Sequence, residues 1–404
     1  MSVWLATVVF VITYVSLAFP RAPVLPVGRP ATALLGAVLM VALGALTPEA
    51  AYRAIDGNTL VLLVALMMLA GALEHAGMFA RMTSLAERHT PRGLLTALVF
   101  VSGGLSAVLL NDTVCLFLTP VVCSVCVQRG LPLAPYLLAL ATSSNIGSAA
   151  TLVGNPQNIL IGSIGPLDFI GYLRIAGPAA LAGLVVNAIL LQVAFGRTLA
   201  SVEPRAPRAE SIMPIARAPL WVGVAVAVGY AAGLHLAFVT LAGVVLLIVL
   251  ARREPLHLFA SVDWPLIVFF SALFVVVEGF AATGLPQTAW QLAAPHLALH
   301  GASGVAAFSA YTVIGSNLFS NVPLVMLLGP LVPELGNPER GFALLGFVST
   351  VAGNLTLLGS VANLIVAERA RQHHELGFWE YLRFGVVSTA LVLAVGVPII
   401  CLLR

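Results

Sequence analysis

Two short polar turns interrupt long apolar runs, one turn in each half of the chain. The first turn is Asn-Asp-Thr at 111–113, and the second is Asn-Val-Pro at 321–323. A lipid bilayer does not tolerate such turns unless protein or a water-filled cavity covers them. Two matched turns therefore indicate the binding site of a membrane protein that moves a small solute.

Two further breaks interrupt apolar runs at 136–163 and 341–367. The first run is broken at Gly154-Asn155-Pro156. Because Asn is favoured at a helix N-cap and Pro at the first helical position, this run predicts a helix, an unwound break and a second helix. We expect the second run also to form a helix, an unwound break and a second helix, with the break near Ser360.

Each turn and each break starts a helix, which predicts four helix N-termini near one another. Unpaired N–H groups and a partial positive charge at these ends attract anions, while the carbonyls left free before a break attract cations. The candidate substrate ligands are Asn111, Asn155, Asn321, Thr356 and Ser360. The candidates for ion or proton coupling are Asp112, Thr113, Thr151, Gly154, Asn354 and Gly359.

Asp112 is the acidic residue that we place at the depth of a turn. A carboxylate inside a membrane is costly and usually functional. It could bind Na⁺ together with Asn111 and Gly154, it could carry a proton, or it could only cap the helix that follows. The corresponding residue of the second turn is Val322, which predicts that coupling is asymmetric between the two halves.

Composition places all these features in a membrane protein. The 404 residues are 60% hydrophobic and 9% charged, with a mean hydropathy of +1.04. Soluble domains carry roughly 25% charged residues. We therefore predict an all-α polytopic protein with about ten transmembrane helices of ~20 residues. The lipid bilayer is then a partner, and nucleic acid is not.

The two polar turns split runs that are too long for a single span, at 93–128 and 303–333. Each arm of the first run has about 17 residues, or ~26 Å of helix. Such a run could cross a core of ~30 Å twice, or it could form a re-entrant hairpin with its tip inside the membrane. We predict two re-entrant hairpins.

The hairpin and the broken helix recur in the same order, which predicts an internal repeat. Residues 1–196 form the first repeat, 197–217 a cytoplasmic linker and 218–404 the second repeat. Asp56 corresponds to Asp263, and Asn111 to Asn321, at separations of 207 and 210 residues. Each repeat is expected to cross the membrane five times, because its hairpin enters and leaves on the same side. Since five is odd, we expect the two repeats to have inverted topology.

Arginine placement predicts the orientation. All 19 basic residues are arginine, and with the N-terminus outside, 15 of them fall on one side of the membrane. The side rich in arginine is expected to be the cytoplasm. This predicts a bacterial inner-membrane protein with both termini outside and Arg-rich loops inside. The sequence leaves the oligomeric state open, and a homodimer is one arrangement that it allows.

Around these motifs the chain resembles the ion transporter superfamily. The segment 150–158, Ala-Thr-Leu-Val-Gly-Asn-Pro-Gln-Asn, is similar to a motif of the arsenite-permease branch, as are the Asn-Asp and Asn-x-Pro turns. The divalent anion symporters carry Ser-Asn-Thr at both tips, and this chain departs from that pattern. The resemblance implies an elevator movement in which hairpins and broken helices carry substrate across a fixed scaffold.

Together these features predict a secondary active transporter for a small inorganic oxyanion or oxyacid, coupled to H⁺ or Na⁺ and needing no cofactor. A Na⁺-coupled di- or tricarboxylate symporter and a passive anion channel are the alternatives. The sequence contains no HExxH, no GxSxG and no facing acid pair, so we do not expect an enzyme.

Overall fold

A computed structural model describes residues 3–18, 28–79, 81, 89–205, 216–251 and 256–403. The middle of the predicted linker, 206–215, lies outside the described residues. So do six of the arginines used to predict the orientation: Arg21, Arg88, Arg208, Arg252, Arg253 and Arg404. Helices account for most of the described part of the chain, and no strand occurs in it.

Nine of the described α-helices begin within the predicted first repeat, and the ninth runs four residues past the predicted end at 196. They are α1 (Val3–Ala18), α2 (Arg29–Ala42), α3 (Pro48–Ala54), α4 (Gly57–His75), α5 (Pro91–Val108), α6 (Asn111–Arg129), α7 (Leu133–Ser148), α8 (Pro156–Ile164) and α9 (Phe169–Ala200).

The remaining ten described α-helices begin at or after Arg217, the last residue of the predicted linker. They are α10 (Arg217–Ala231), α11 (Leu236–Ala251), α12 (Leu256–Ala260), α13 (Trp264–Ala281), α14 (Leu285–Ala293), α15 (Ala302–Phe319), α16 (Asn321–Leu328), α17 (Pro338–Ala352), α18 (Val361–Ala370) and α19 (Phe378–Leu402). Short 3₁₀ turns cover Ala294–His296, Gly329–Leu335 and Leu357–Gly359.

Six helices among the described residues are long and apolar enough to cross a membrane, namely α4, α5, α6, α9, α13 and α19. Shorter apolar helices accompany them at Val3–Leu17, Arg29–Ala42, Arg217–Ala231, Leu236–Ala251 and Asn321–Leu335. The prediction of an all-α polytopic membrane protein is confirmed.

The helices pack in two groups. In the first group α2 packs against α13, α4 packs against α11, and α1 packs against α2 and α13. In the second group α9 packs along α19, and both contact α17. The hairpin arms and broken helices belong to this second group, because α5 packs against α7 and α9, and α15 packs against α17.

The two hairpins and the two broken helices interlock across the halves of the chain. The second arm of the first hairpin, α6, packs against α18, which follows the break of the second half. In the same way α16 packs against α8, which follows the break of the first half. This exchange brings both hairpin tips next to both breaks.

Local hydrogen bonds of the two halves correspond closely. Asp56 caps α4 through the Thr59 N–H at 2.6 Å, and Asp263 caps α13 through the Leu266 N–H at 3.1 Å. In each case an aspartate satisfies a backbone donor that the helix leaves unpaired.

The unwound breaks correspond as well. The Asn158 amide donates to the carbonyls of Ser148 and Thr151 at 3.3 and 2.9 Å. The Asn363 amide donates to the carbonyls of Gly353 and Thr356 at 2.8 and 3.1 Å. Each asparagine thus ties the helix after a break to the free carbonyls before it.

Two helix starts, those of α6 and α16, differ from the sequence-based interpretation. Asn111, Asp112 and Asn321 are of types favoured at N-caps, which predicts that they cap the helices after the two turns. Leu110 and Ser320 hold the N-cap positions instead, and Asn111 and Asn321 are the first helical residues. Asn155 does cap α8, by accepting from the Asn158 N–H at 2.9 Å. The side chains of Asn111 and Asn321 therefore do not cap the helices that follow them.

Candidate functional site

A small polar cavity lies where the two hairpin tips meet the two breaks. Its volume is about 30 Å³, enough for a few atoms, since one water needs about 10–15 Å³. The first residues of four helices line it: Asn111 of α6, Pro156 of α8, Asn321 of α16 and Val361 of α18. Backbone N–H groups at helix N-termini are suited to oxygen atoms of a substrate.

The first tip is held against the first break. The Asn111 N–H donates to the Gly154 carbonyl at 2.9 Å. A Cβ on Gly154 would lie 2.2 Å from the Ser148 carbonyl oxygen and 2.8 Å from that of Ser106. This position therefore requires glycine, because the backbone of α5 and that of the break approach too closely for a side chain.

The second tip has a strained backbone. Ser320 has φ 69° and ψ 159°, a conformation that is almost restricted to glycine. It is the one non-glycine residue with positive φ in the described part of the chain. Ser320 also lines the cavity, so the strain lies at the site itself.

Asn145 of α7 joins the two halves behind the cavity. Its Oδ1 accepts from Asn111 Nδ2 at 2.8 Å and from Ser360 Oγ at 3.0 Å. Its Nδ2 donates to the Oδ1 atoms of Asn354 and Asn363 at 2.8 and 3.0 Å. Both lone pairs and both amide hydrogens are therefore used.

Two buried amide oxygens at the tips remain free. Asn111 Oδ1 and Asn321 Oδ1 have no hydrogen-bond partner within the described ranges, although the two residues are only 3% and 7% exposed. A buried acceptor without a partner costs about 1–3 kcal/mol. Both residues line the cavity, where a hydroxyl group or a cation would satisfy these oxygens.

Asp112 is the one ionisable residue among the described residues that line the cavity, and it is 6% exposed. Its helix begins one residue earlier, so the carboxylate lies in the first turn of α6, where a helix stabilises negative charge. The described residues contain no cluster of three or more side chains of the types that bind metals, and the oxygen atoms that face the cavity are better suited to a hard cation such as Na⁺.

The structure divides the eleven predicted ligands into three sets. Five of them line the cavity: Asn111, Asp112, Asn321, Gly359 and Ser360. Thr356 lines a larger adjoining cavity. The other five, Thr113, Thr151, Gly154, Asn155 and Asn354, do not line the small cavity.

Asn155 shows why some predicted ligands lie behind the cavity. Its Oδ1 caps α8, and its Nδ2 donates to Ser148 Oγ at 2.9 Å and Thr350 Oγ1 at 3.2 Å. Asn354 is fully buried and donates to the Thr142 carbonyl at 3.0 Å. The Thr151 hydroxyl donates to the Ala107 carbonyl at 2.6 Å.

Sequence reasoning missed Asn145 and Gln157. Gln157 lines the cavity and donates to Thr350 Oγ1 at 3.0 Å. Asn145 lies within an unbroken helix, so no local signal marks it. The repeat does not mark it either, because at the separation of 205 residues that pairs Asn158 with Asn363 its counterpart is Thr350.

Two opposed hairpins and two broken helices around a small polar cavity define a polytopic membrane transporter. The chain belongs to the citrate transporter family, whose sequence model matches residues 8–344. The predicted membership of the ion transporter superfamily is confirmed.

Curated relatives and a solved structure share nearly the whole chain. A silicon efflux transporter, LSI3, from Oryza sativa subsp. japonica is 36% identical over 98% of this chain and 97% of its own length. A putative transporter, arsB, from Dictyostelium discoideum is 31% identical over 94% of this chain and 88% of its own length. The crystal structure of the Alcanivorax borkumensis YdaH transporter has a similar fold, with a TM-score of 0.60 at 15% identity, over 99% of this chain and 96% of that one.

Proposed function

We propose that this chain is a secondary active transporter that moves a small inorganic oxyanion or oxyacid across the membrane. The observation that carries this proposal is the free Oδ1 atom of both Asn111 and Asn321 beside four helix N-termini. An oxyacid presents oxygen atoms to N–H donors and hydroxyl groups to acceptors, so it matches both kinds of group. The small cavity volume of about 30 Å³ favours a small substrate.

The name of one relative supports an inorganic substrate. The rice relative, at 36% identity, is named a silicon efflux transporter. Silicon dissolves in water as silicic acid, which is a small oxyacid with four hydroxyl groups. The family name instead supports the second candidate, a Na⁺-coupled di- or tricarboxylate symporter.

Asp112 is proposed to couple transport to H⁺ or Na⁺. It is the one ionisable residue among the described residues that line the cavity, and it follows Asn111, whose N–H donates to the Gly154 carbonyl. Val322 takes the corresponding place at the second tip and also lines the cavity. Coupling would therefore depend on the first tip alone.

An elevator movement is proposed from the two packing groups. The second group contains both hairpins and both broken helices, so it can carry the cavity as a unit. Ser163 of α8 donates to the Asp56 carboxylate of the first group at 2.8 Å, and this bond would break as the groups slide. A disulfide formed between Asp56→Cys and Ser163→Cys should stop transport until it is reduced, while either single variant remains active.

The orientation is also a proposal. We expect a bacterial inner membrane, both termini outside and the Arg-rich loops in the cytoplasm. Under this orientation the Asp263 end of α13 faces the cytoplasm, and the Asp56 end of α4 faces outward.

Uptake by purified protein in liposomes tests the function. Arsenite, silicic acid, phosphate and citrate would each be offered with an H⁺ gradient, a Na⁺ gradient or neither. We expect accumulation of an inorganic probe above equilibrium, driven by one of the gradients and lost in Asn321→Ala. Accumulation of citrate alone would select the carboxylate symporter, and flux that never exceeds equilibrium would select a channel.

A further inference from the structure

A second, larger cavity adjoins the small one. Its volume is about 440 Å³, and it reaches from the second hairpin tip to the end of α13 that carries Asp263. The residues that line both cavities are Phe269, Leu273, Ser320, Pro323 and Val361. These shared walls make the large cavity a vestibule of the small one.

The end of α4 that corresponds to the Asp263 end of α13 makes a different contact. Asp56, the repeat equivalent of Asp263, accepts a hydrogen bond from Ser163 at 2.8 Å and so joins the two packing groups. Asp263 instead lines the vestibule. The cavity that adjoins the small one therefore lies at the Asp263 end of α13.

Buried polar atoms of α15 face the vestibule without partners. Ser316 lines it and is 1% exposed, and its Oγ has no hydrogen-bond partner among the residues that the structure describes. Asn317 Nδ2 donates to the carbonyls of Val313 and Ala352 at 3.0 and 3.2 Å. Its Oδ1, also buried and unpartnered in the described chain, is left to accept from a ligand.

Arg29 supplies positive charge to the same vestibule. It is the first residue of α2, is half-buried, and has no ion-pair partner in the described ranges. Asp263 lines the same space, but its carboxylate is engaged as the cap of α13 at 3.1 Å from the Leu266 N–H. An arginine that is partly removed from water is suited to bind an oxyanion through several N–H groups.

We propose that the vestibule holds a peripheral subsite for an oxyanion, in which Arg29 binds the charged oxygens and Ser316 and Asn317 accept from hydroxyl groups. This inference rests on the proposed function and extends it, because it adds a second binding position and selects the ionised form of the substrate there. The anion occupies this subsite before it moves past Ser320 to the small cavity.

Arsenate and arsenite provide a matched pair of probes, since arsenate is an anion at pH 7 and arsenite is an uncharged acid. Binding of each to the purified full chain is measured by isothermal titration calorimetry at low and high salt. In Arg29→Gln we expect the arsenate Kd to rise about tenfold, the size of one lost contact to a charged group, and the salt dependence to weaken. Arg29→Lys should restore part of the affinity, and Arg53→Gln, at an exposed arginine in α3, should bind as the wild type does.

The outcomes separate this inference from the proposed function. If wild-type protein binds no arsenate, or if Arg29→Gln binds it as tightly as wild type, the subsite is overturned even when arsenite is transported. If arsenate binding depends on Arg29 but no inorganic probe accumulates in liposomes, the subsite stands and the transport proposal fails. A normal melting temperature for Arg29→Gln ensures that a lost affinity does not reflect unfolding.

Discussion

Asn145 Nδ2 donates to Asn354 Oδ1 at 2.8 Å, and this hydrogen bond joins the two halves of the chain across a separation of 209 residues. Both side chains are buried. Asn145 also bonds to the first tip through Asn111 and to the second break through Ser360. One side chain therefore fixes the positions of three elements that surround the cavity.

Asn145→Ala should destabilise the protein strongly. It removes four buried hydrogen bonds and leaves the Asn354 and Asn363 oxygens without their donor. We expect the free energy of unfolding to fall by roughly 3 kcal/mol, measured by thermal unfolding in detergent. The control is Gln128→Ala, which removes one exposed hydrogen bond to Ser124 and should leave the midpoint temperature of thermal unfolding unchanged. Equal midpoints for the two variants would contradict the role given to Asn145.

Asp112→Asn should separate transport from its driving gradient. The substitution keeps the shape of the side chain but removes the charge at the cavity. We expect the variant to fold and bind substrate while losing accumulation against a gradient in liposomes. Asp168→Asn is the matched control, because Asp168 is an exposed N-cap and Asn also caps helices well. Full gradient-driven accumulation in Asp112→Asn would exclude this residue from coupling.

Gly154→Ala should disrupt the first tip. The added Cβ would lie 2.2 Å from the Ser148 carbonyl oxygen, so the backbone must move and the Asn111 N–H would lose its acceptor. We expect a lower melting temperature and no transport. Gly104→Ala serves as the control, since a Cβ there has no neighbour within 4 Å and the site is helical. The control should be as stable as wild type or more stable, by up to about 1 kcal/mol. A Gly154→Ala protein with normal melting and transport would show that the close approach is unimportant.

Ser320→Gly should stabilise the protein. Glycine adopts φ 69° and ψ 159° without the strain that serine bears, which is of order 1–3 kcal/mol. After the entropic cost of glycine, we expect a net gain of about 1 kcal/mol in the free energy of unfolding. Ser309→Gly, within the helix α15, should instead lose stability. A destabilised Ser320→Gly would mean that serine is not strained there.

Several features of the fold could be predicted from sequence because their signals are local. Apolar runs predict spans, and the polar turns at 111–113 and 321–323 predict where those runs divide, since neither signal depends on distant contacts. Asn155 followed by Pro156 predicted a helix start correctly, because capping involves only neighbouring residues.

Only the tertiary structure decided which polar side-chain atoms bond to other protein groups and which remain free for a ligand. Asn111 and Asn155 look equivalent in sequence, but packing commits every polar atom of the Asn155 side chain to protein partners and leaves Asn111 Oδ1 free at the cavity. Asn145 gives no local signal and acquires its role only when α7 meets the second break. Hydropathy and capping are properties of short segments, so the sequence by itself determined the membrane-spanning class and the positions of the breaks. The hydrogen-bond partners across 200 residues, and with them the oxygen atoms left for a ligand, depend on how the two halves interlock.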